Sequence, residues 1–269
     1  ARIERLGEVL PIYEFEASGD RATIKPQGAR VEMLEHEGVP ILPPYSSEHT
    51  NYYGQQKSRG GMHITYPNHG PGGESGLMQH GFARDVRWKE YHRGDNTVGL
   101  LIPRHIREEY AHIYPYDVDV AQYFRLGESG LSIHLILNNR GDIPAPMNPG
   151  FHPYFDVPIS GFTLVRDSRG EFAYEQGDFE TTDDWRELPM QPAPEDEVIH
   201  IGYGQDTEDP SIHGTMRASR NLPLHALWSD DPDRYRCFEP IAGFPFDPEA
   251  SFQLEPGHTI QYSIDISAN

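Results

Sequence analysis

Turn-forming residues interrupt this chain along its whole length. Twenty-six glycines and 24 prolines are scattered through 269 residues. Proline removes a backbone donor and fixes φ, and glycine enters left-handed backbone freely, so both break helices and suit the turns between short strands. Between the breaks the apolar pattern has a period of two. Ile260, Tyr262, Ile264 and Ile266 share one face while Gln261, Ser263 and Asp265 take the other, the signature of a half-buried strand. Leu131, Ile133, Leu135 and Leu137 repeat the pattern, and Val118, Val120, Phe124 and Leu126 repeat it again with Gln122 as the exception. The continuous run Val98–Ile102 predicts a strand covered on both faces. Turns at Leu126–Gly130, Asn139–Asp142 and Pro256–Gly257 separate these runs. The helical candidates, Ile106–His112 and Thr181–Leu188, are no longer than about two turns. The expected fold is all-β, one large antiparallel β-sandwich forming a single domain over 1–269. The Asp-, Glu-, Pro- and Gly-rich segment Asp183–Pro210 reads as a surface excursion.

The net charge of −20, from 42 acidic and 22 basic residues, repels nucleic acid and anionic lipid and makes both poor partners. An anionic substrate would need a locally cationic pocket. No apolar run approaches the roughly 20 residues of a membrane span, and no signal peptide is visible. Cys237 is the only cysteine, so an internal disulfide is excluded. A cytoplasmic location is expected.

Three residues stand out as an acid–base set: His152 within Asn148–Phe155, His80 within Gln79–Arg84, and Glu239 within Arg236–Pro240. Two imidazoles and a carboxylate can give a proton to one oxygen of a small substrate while taking one from another. No cofactor signature competes, so proton transfer is expected, with no cofactor and no metal. The competing metal reading would gather His63, His69, His80 and His92, as a cupin-like barrel does, but no His-x-His pair occurs. His134, alternating with strand leucines, reads as structural, Trp88 as core and Cys237 as packing.

The motifs, taken in order, resemble the aldose 1-epimerase (mutarotase) family. Gln27-Gly28-Ala29-Arg30 with Gly38–Leu42 is similar to its opening hairpin. Arg59-Gly60-Gly61-Met62-His63, Tyr66-Pro67 and Gly70-Pro71 are similar to its Gly-Gly loop. His80-Gly81-Phe82-Ala83-Arg84 with Trp88, then Gly150–Phe155, Phe238-Glu239-Pro240 and Leu254–Gly257, follow at family-like distances. The Gly-Gly and Glu-Pro forms lean toward the hexose-6-phosphate 1-epimerase branch. The resemblance implies a β-supersandwich that interconverts α and β anomers of a hexose or hexose 6-phosphate. It implies Glu239 as general base, His152 as general acid, protonated or nearly so at working pH, and His80 as a partner of the ring oxygen. Substrate contacts are expected from Arg59 and Arg84, from Asp196, and from Tyr154 with Phe82 and Phe155 as a flat wall. Arg87 and Lys89 are expected to be solvated. The expected partner is a small sugar or sugar phosphate, and the expected state a monomer or weak homodimer. The sequence departs from the branch at Met62-His63, where Ile-Pro is usual. It also lacks a Trp after Glu239, and Asp196–His200 matches only loosely. An inactive carbohydrate-binding relative, or an isomerase or lyase of a modified sugar, are the alternatives.

Overall fold

A computed structural model of the chain describes residues 11–50, 54, 56–156, 162–167, 170–174, 190–192, 198–204, 211–231 and 234–268. Among these residues two nine-stranded antiparallel sheets dominate. The first runs Tyr13–Ala17, Asp20–Lys25, Arg30–His36, Met62–Thr65, Gly150–Asp156, Tyr235–Ile241, Leu224–Trp228 and Met190–Pro192, with Val39–Leu42 also paired to Arg30–His36. The second runs Gly170–Tyr174, Phe162–Asp167, Val198–Gly204, Ser211–Ala218, Thr259–Ser267, Gly130–Asn139, Val118–Gly127, Thr97–Leu101 and Lys89–Gly94. Two short two-stranded sheets stand apart, one pairing Ser46–Thr50 with Gln56–Arg59 and the other pairing the distant segments Ala145–Met147 and Phe252–Leu254.

The sheets are held together by one apolar cluster. It draws Ile24, Val31, Ile64, Phe151 and Phe238 from the first sheet and Phe124, Ile133, Leu135, Tyr262 and Ile264 from the second. The period-two runs of the sequence supply the second sheet's share: Leu131, Ile133, Leu135 and Leu137 are all fully buried. Gln122 follows the inward parity and is buried as well, because the pleat fixes side-chain direction whatever the residue. Val98 and Leu100 enter the core, and the Tyr91 ring covers Gly99 between them. The run is therefore covered on both faces.

The helix near Ile106 forms as Arg104–Tyr110. Pro103 precedes it, where a missing N–H leaves no helical hydrogen bond unmade. The Asp183–Pro210 segment is more than an excursion. Met190–Pro192 closes the edge of the first sheet and Val198–Gly204 lies within the second. The Val198-Ile199-His200-Ile201 run is β-prone, but the acidic and proline-rich residues around it conceal its period. Thr181–Leu188 and Asp196 lie outside the described residues.

Candidate active site

Three adjacent strands of the first sheet form the floor of the site. Met62 and Ile64, Phe151 and Phe155, and Phe238 point into the core. The alternate residues, His63 and Thr65, His152 and Tyr154, Cys237 and Glu239, take the other face. Register aligns them. His152 lies opposite His63, and the pairs Gly150–Ile241 and Tyr154–Cys237 set Glu239 beside His152. Glu239 in turn pairs with Ala226. One cross-strand row thus reads His63, His152, Glu239, Ala226. The next reads Tyr154, Cys237, Trp228. Ala226 is the small member, and it lines the cavity of about 700 Å³ that opens over this face. His69, His80, Arg59, Arg84, Lys57 and Trp228 line it too.

Backbone geometry that only glycine accommodates easily shapes the walls. Gly61 has φ +61° and its Cβ would fall 2.1 Å from the Val31 carbonyl oxygen, while its own carbonyl accepts from the Tyr154 N–H at 3.0 Å. Gly81, at φ +68°, would place a Cβ 1.9 Å from the Tyr66 oxygen. This tight turn presents His80, itself at φ +64°. The His80 N–H donates to the Gly70 oxygen at 2.8 Å, and the Gly70 N–H donates back to His80 Nδ1 at 3.1 Å. An accepting Nδ1 leaves the proton of the neutral ring on Nε2.

His152 Nε2 is 3.3 Å from Glu239 Oε1, and His69 Nε2 is 3.5 Å from Glu239 Oε2. His152 is stacked between His63, at 4.6 Å between ring centroids, and Tyr154, at 4.8 Å. His80 meets it edge-on at 5.3 Å. Glu239 is only 2% exposed, and burial pushes its carboxyl well above the usual carboxylate range. Burial also pushes His63, His80 and His152 well below the usual imidazole range, and neighbouring imidazoles and Arg84 add to it. Against the expectation of a protonated His152, desolvation in the free pocket penalises the charged imidazole, and Arg84 and Arg59 act in the same direction.

The arginines expected at the substrate are already engaged. Arg59 Nε donates to Asp230 Oδ1 at 2.8 Å and to Tyr235 Oη at 3.0 Å, and Nη1 donates to the Ser58 oxygen. Arg84 Nη2 donates to the Gln79 oxygen at 3.0 Å, with Nη1 3.4 Å from His63 Nε2. Both reach the cavity as anchored cations. Tyr154 lines it as expected, but Phe82 and Phe155 do not. Phe82 stacks on Tyr110 at 4.4 Å, and Phe155 has core parity and packs on Phe238. Trp88 is core, its Nε1 donating to the Ala83 oxygen at 2.9 Å. Cys237 packs with Tyr154 and Tyr235. Of the four histidines of the metal reading, His63, His69 and His80 converge while His92 lies on the exposed Lys89–Gly94 strand. The potential ligand atoms of His152, Cys237 and Glu239 lie within 4.8 Å of one another, so an entering divalent ion would compete for the His152 imidazole and the Glu239 carboxylate.

Sequence reading missed His69 as a partner of Glu239, Trp228 as a wall and Asp230 as the anchor of Arg59. The run Leu224-His225-Ala226-Leu227-Trp228 is apolar at four of five positions, so neither its period nor its partner strand can be read from it.

Fold and pocket together define a class: antiparallel β-sandwich proteins of the galactose mutarotase type, with a polar cavity on one sheet. The Slr1438 protein from Synechocystis sp. PCC 6803 superposes with a TM-score of 0.72 at 21% identity, covering 100% of both chains. A galactose mutarotase-like protein from Lactobacillus casei ATCC 334 gives 0.72 at 18% identity, covering 96% of this chain and 100% of that one. The aldose 1-epimerase family model matches residues 11–192, and the chain belongs to that family. The proteins named "Putative glucose-6-phosphate 1-epimerase" of Escherichia coli (strain K12) and Salmonella typhimurium (strain LT2) are each 31% identical over 101 residues, 37% of this chain. The match spans 33%, about a third, of the length of these curated relatives.

Proposed function

We propose that the protein is an aldose 1-epimerase that interconverts the α and β anomers of a hexose, with Glu239 and His152 as the acid–base pair. The observation that carries this reading is the 3.3 Å contact between His152 Nε2 and Glu239 Oε1 at the bottom of the cavity. Ring opening needs one proton removed from the hemiacetal O1–H and one delivered to the ring oxygen O5 as the C1–O5 bond breaks. The pair shares one proton, which burial favours on Glu239 in the free pocket; in the reactive form that proton has crossed the 3.3 Å to His152, so that an ionised Glu239 takes the first and a protonated His152 gives the second. The pair is then neutral on both sides, and the sugar is an open-chain aldehyde. Rotation about C1–C2 and the reverse transfers close the ring on the other face and restore the pair. Burial favours the neutral pair over the charged one, so desolvation drives the transfer once the charged form exists, and hydrogen bonds from the bound sugar offset the cost of forming it. A carboxyl with raised proton affinity is also a stronger base near neutral pH. His80 Nε2–H is placed to donate to a sugar oxygen, and Tyr154 and Trp228 offer ring faces and edges to the pyranose.

A second reading, a hexose 6-phosphate as substrate, is supported by Lys57, Arg59 and Arg84 around the cavity and by the names of the two curated relatives. The ion pair of Arg59 with Asp230 weighs against it, as does a net charge of −20 that repels an anion at long range. NMR exchange spectroscopy on glucose, galactose and their 6-phosphates tests both readings. Wild type accelerates anomer exchange, and Glu239→Gln and His152→Asn each slow it by roughly 10²–10⁴. Equal exchange with wild type and Glu239→Gln refutes the base assignment. Acceleration confined to the phosphates selects the second reading.

A further inference from the structure

We infer that His69 is a positioning residue for Glu239, donating from Nε2–H toward Oε2 and so favouring the ionised form of the carboxylate, with Oε1 turned to His152 and the substrate. This rests on the reading of Glu239 as general base. His69 comes from the loop between the Met62–Thr65 strand and the Gly81 turn. That loop is firmly held: Asn68 Nδ2 donates to the Gly70 and Met78 oxygens at 2.8 and 3.1 Å, and the Phe244 ring lies 6.0 Å from the His69 ring, nearly edge-on. The imidazole is 1% exposed. Its Nδ1 lies 3.4 Å from Thr65 Oγ1 and its Nε2 3.5 Å from Glu239 Oε2.

The tautomer follows from these neighbours. The buried Oε2 has no other donor, so the tautomer that serves it carries the ring proton on Nε2, facing the carboxylate, and Nδ1 then accepts from the Thr65 hydroxyl. Burial, with a smaller effect of Arg84, pushes His69 down to about 3. The ring is neutral throughout the working range and supports the carboxylate as a dipole without forming an ion pair that would quench its basicity. The need for such support is plain from the other groups facing Glu239. Burial pushes Glu239 toward its neutral form, Arg84 opposes this, and the buried Cys237 thiol and Tyr154 hydroxyl are themselves pushed up to stay neutral. Oε1 meets His152; Oε2, on the far side and buried, has no hydrogen-bond partner and His69 Nε2 within ion-pair range. The distance is long for a hydrogen bond, as acid–base contacts commonly are before substrate closes the site. The resulting chain, Thr65 hydroxyl to His69 to Glu239, orders a catalytic carboxylate through an imidazole from behind.

The test reads Glu239 directly. In protein labelled with carboxyl-¹³C glutamate, the Glu239 carbon is assigned by its loss in Glu239→Gln, and its titration midpoint is followed by NMR. His69→Phe keeps the ring volume and removes the donor. The midpoint is expected to rise by about one pH unit, the scale of one hydrogen bond to a charged group, and kcat for anomer exchange to fall about tenfold with KM unchanged. His69→Gln, whose amide N–H reaches the same place, brings the midpoint back. Thr65→Val, nearly isosteric, shifts it upward by less, and carries the test if His69→Phe does not fold. An unchanged or lowered midpoint in His69→Phe, or no rescue by His69→Gln, overturns the proposal. Those outcomes leave the base assignment standing, because that falls only if Glu239→Gln remains as active as wild type.

Discussion

Acidification should expose the energetic cost of keeping so many imidazoles dry. For His69 the folded value is about 3, against about 6.5 in the unfolded chain. The sign follows from proton counts. Between those values the unfolded chain binds a proton that the folded chain refuses, so stability is fully present above about pH 6.5 and is lost as pH falls through this window. At pH 5.0 the loss from this residue is 1.36 kcal/mol per unit over about 1.5 units, or about 2 kcal/mol. His63, His80 and His152 shift in the same direction for the same reason and add to it, against a typical total stability of about 5–15 kcal/mol. Glu239 has the opposite sign, since its raised value lets the folded state hold a proton that the unfolded chain releases. The assay is urea unfolding of wild type and His69→Phe at pH 7.5 and 5.0. Wild type should lose at least about 2 kcal/mol more than the variant over that interval. The Glu239 contribution is either common to both proteins or, where the Phe ring raises Glu239 further, widens the gap. Equal losses would refute the claim that His69 is buried and neutral, and with it the physical basis of the site as described.

Three further outcomes test other parts of the molecule. Asp230→Asn should leave the half-enclosed Arg59 guanidinium without its carboxylate, which the Tyr235 hydroxyl also contacts. The expected cost is about 3 kcal/mol, measured as a fall in thermal unfolding temperature; a smaller loss together with faster turnover of hexose 6-phosphate would mean that the pair is a selectivity gate. Trp228→Ala removes a cavity wall that lies edge-on to His152 at 5.7 Å. It should raise KM about tenfold, roughly 1.4 kcal/mol of binding, with kcat little changed. Treatment with a chelator should leave the exchange rate unaltered, while added Zn²⁺ inhibits through the His152, Cys237 and Glu239 atoms and loses potency in Cys237→Ser; an activity that disappears on chelation and returns with one metal would reverse the cofactor expectation.

What the sequence discloses and what it hides divide along a physical line. Strand period and turn chemistry are local, so the alternating runs at Leu131–Leu137 and Ile260–Ile266 and the breaks between them can be read directly, and they do become neighbouring strands. Parity is local too, and it already separates Phe155 from Tyr154, although the motif that contains both tempts one to put the two rings in one wall. Strand partnership is not local. That Met62–Thr65, Gly150–Asp156, Tyr235–Ile241 and Leu224–Trp228 lie side by side depends on the whole sheet closing, and only this pairing brings His63, His152, Glu239 and Ala226 into one row. Burial is likewise a property of the assembled sheet, which is why the desolvation that works against a charged His152 cannot be read from the motif around it. His63 illustrates both points. In the sequence it is a departure from an Ile-Pro pattern, with nothing to say whether the change matters. In the sheet, Met62 keeps the core parity of its position while His63 stacks on the His152 imidazole and takes the Arg84 contact. The departure therefore falls in the same cross-strand row as His152 and Glu239, where the added ring bears on the proton affinity of His152. The proton affinity of His152 is accordingly set by its neighbours as much as by its own burial.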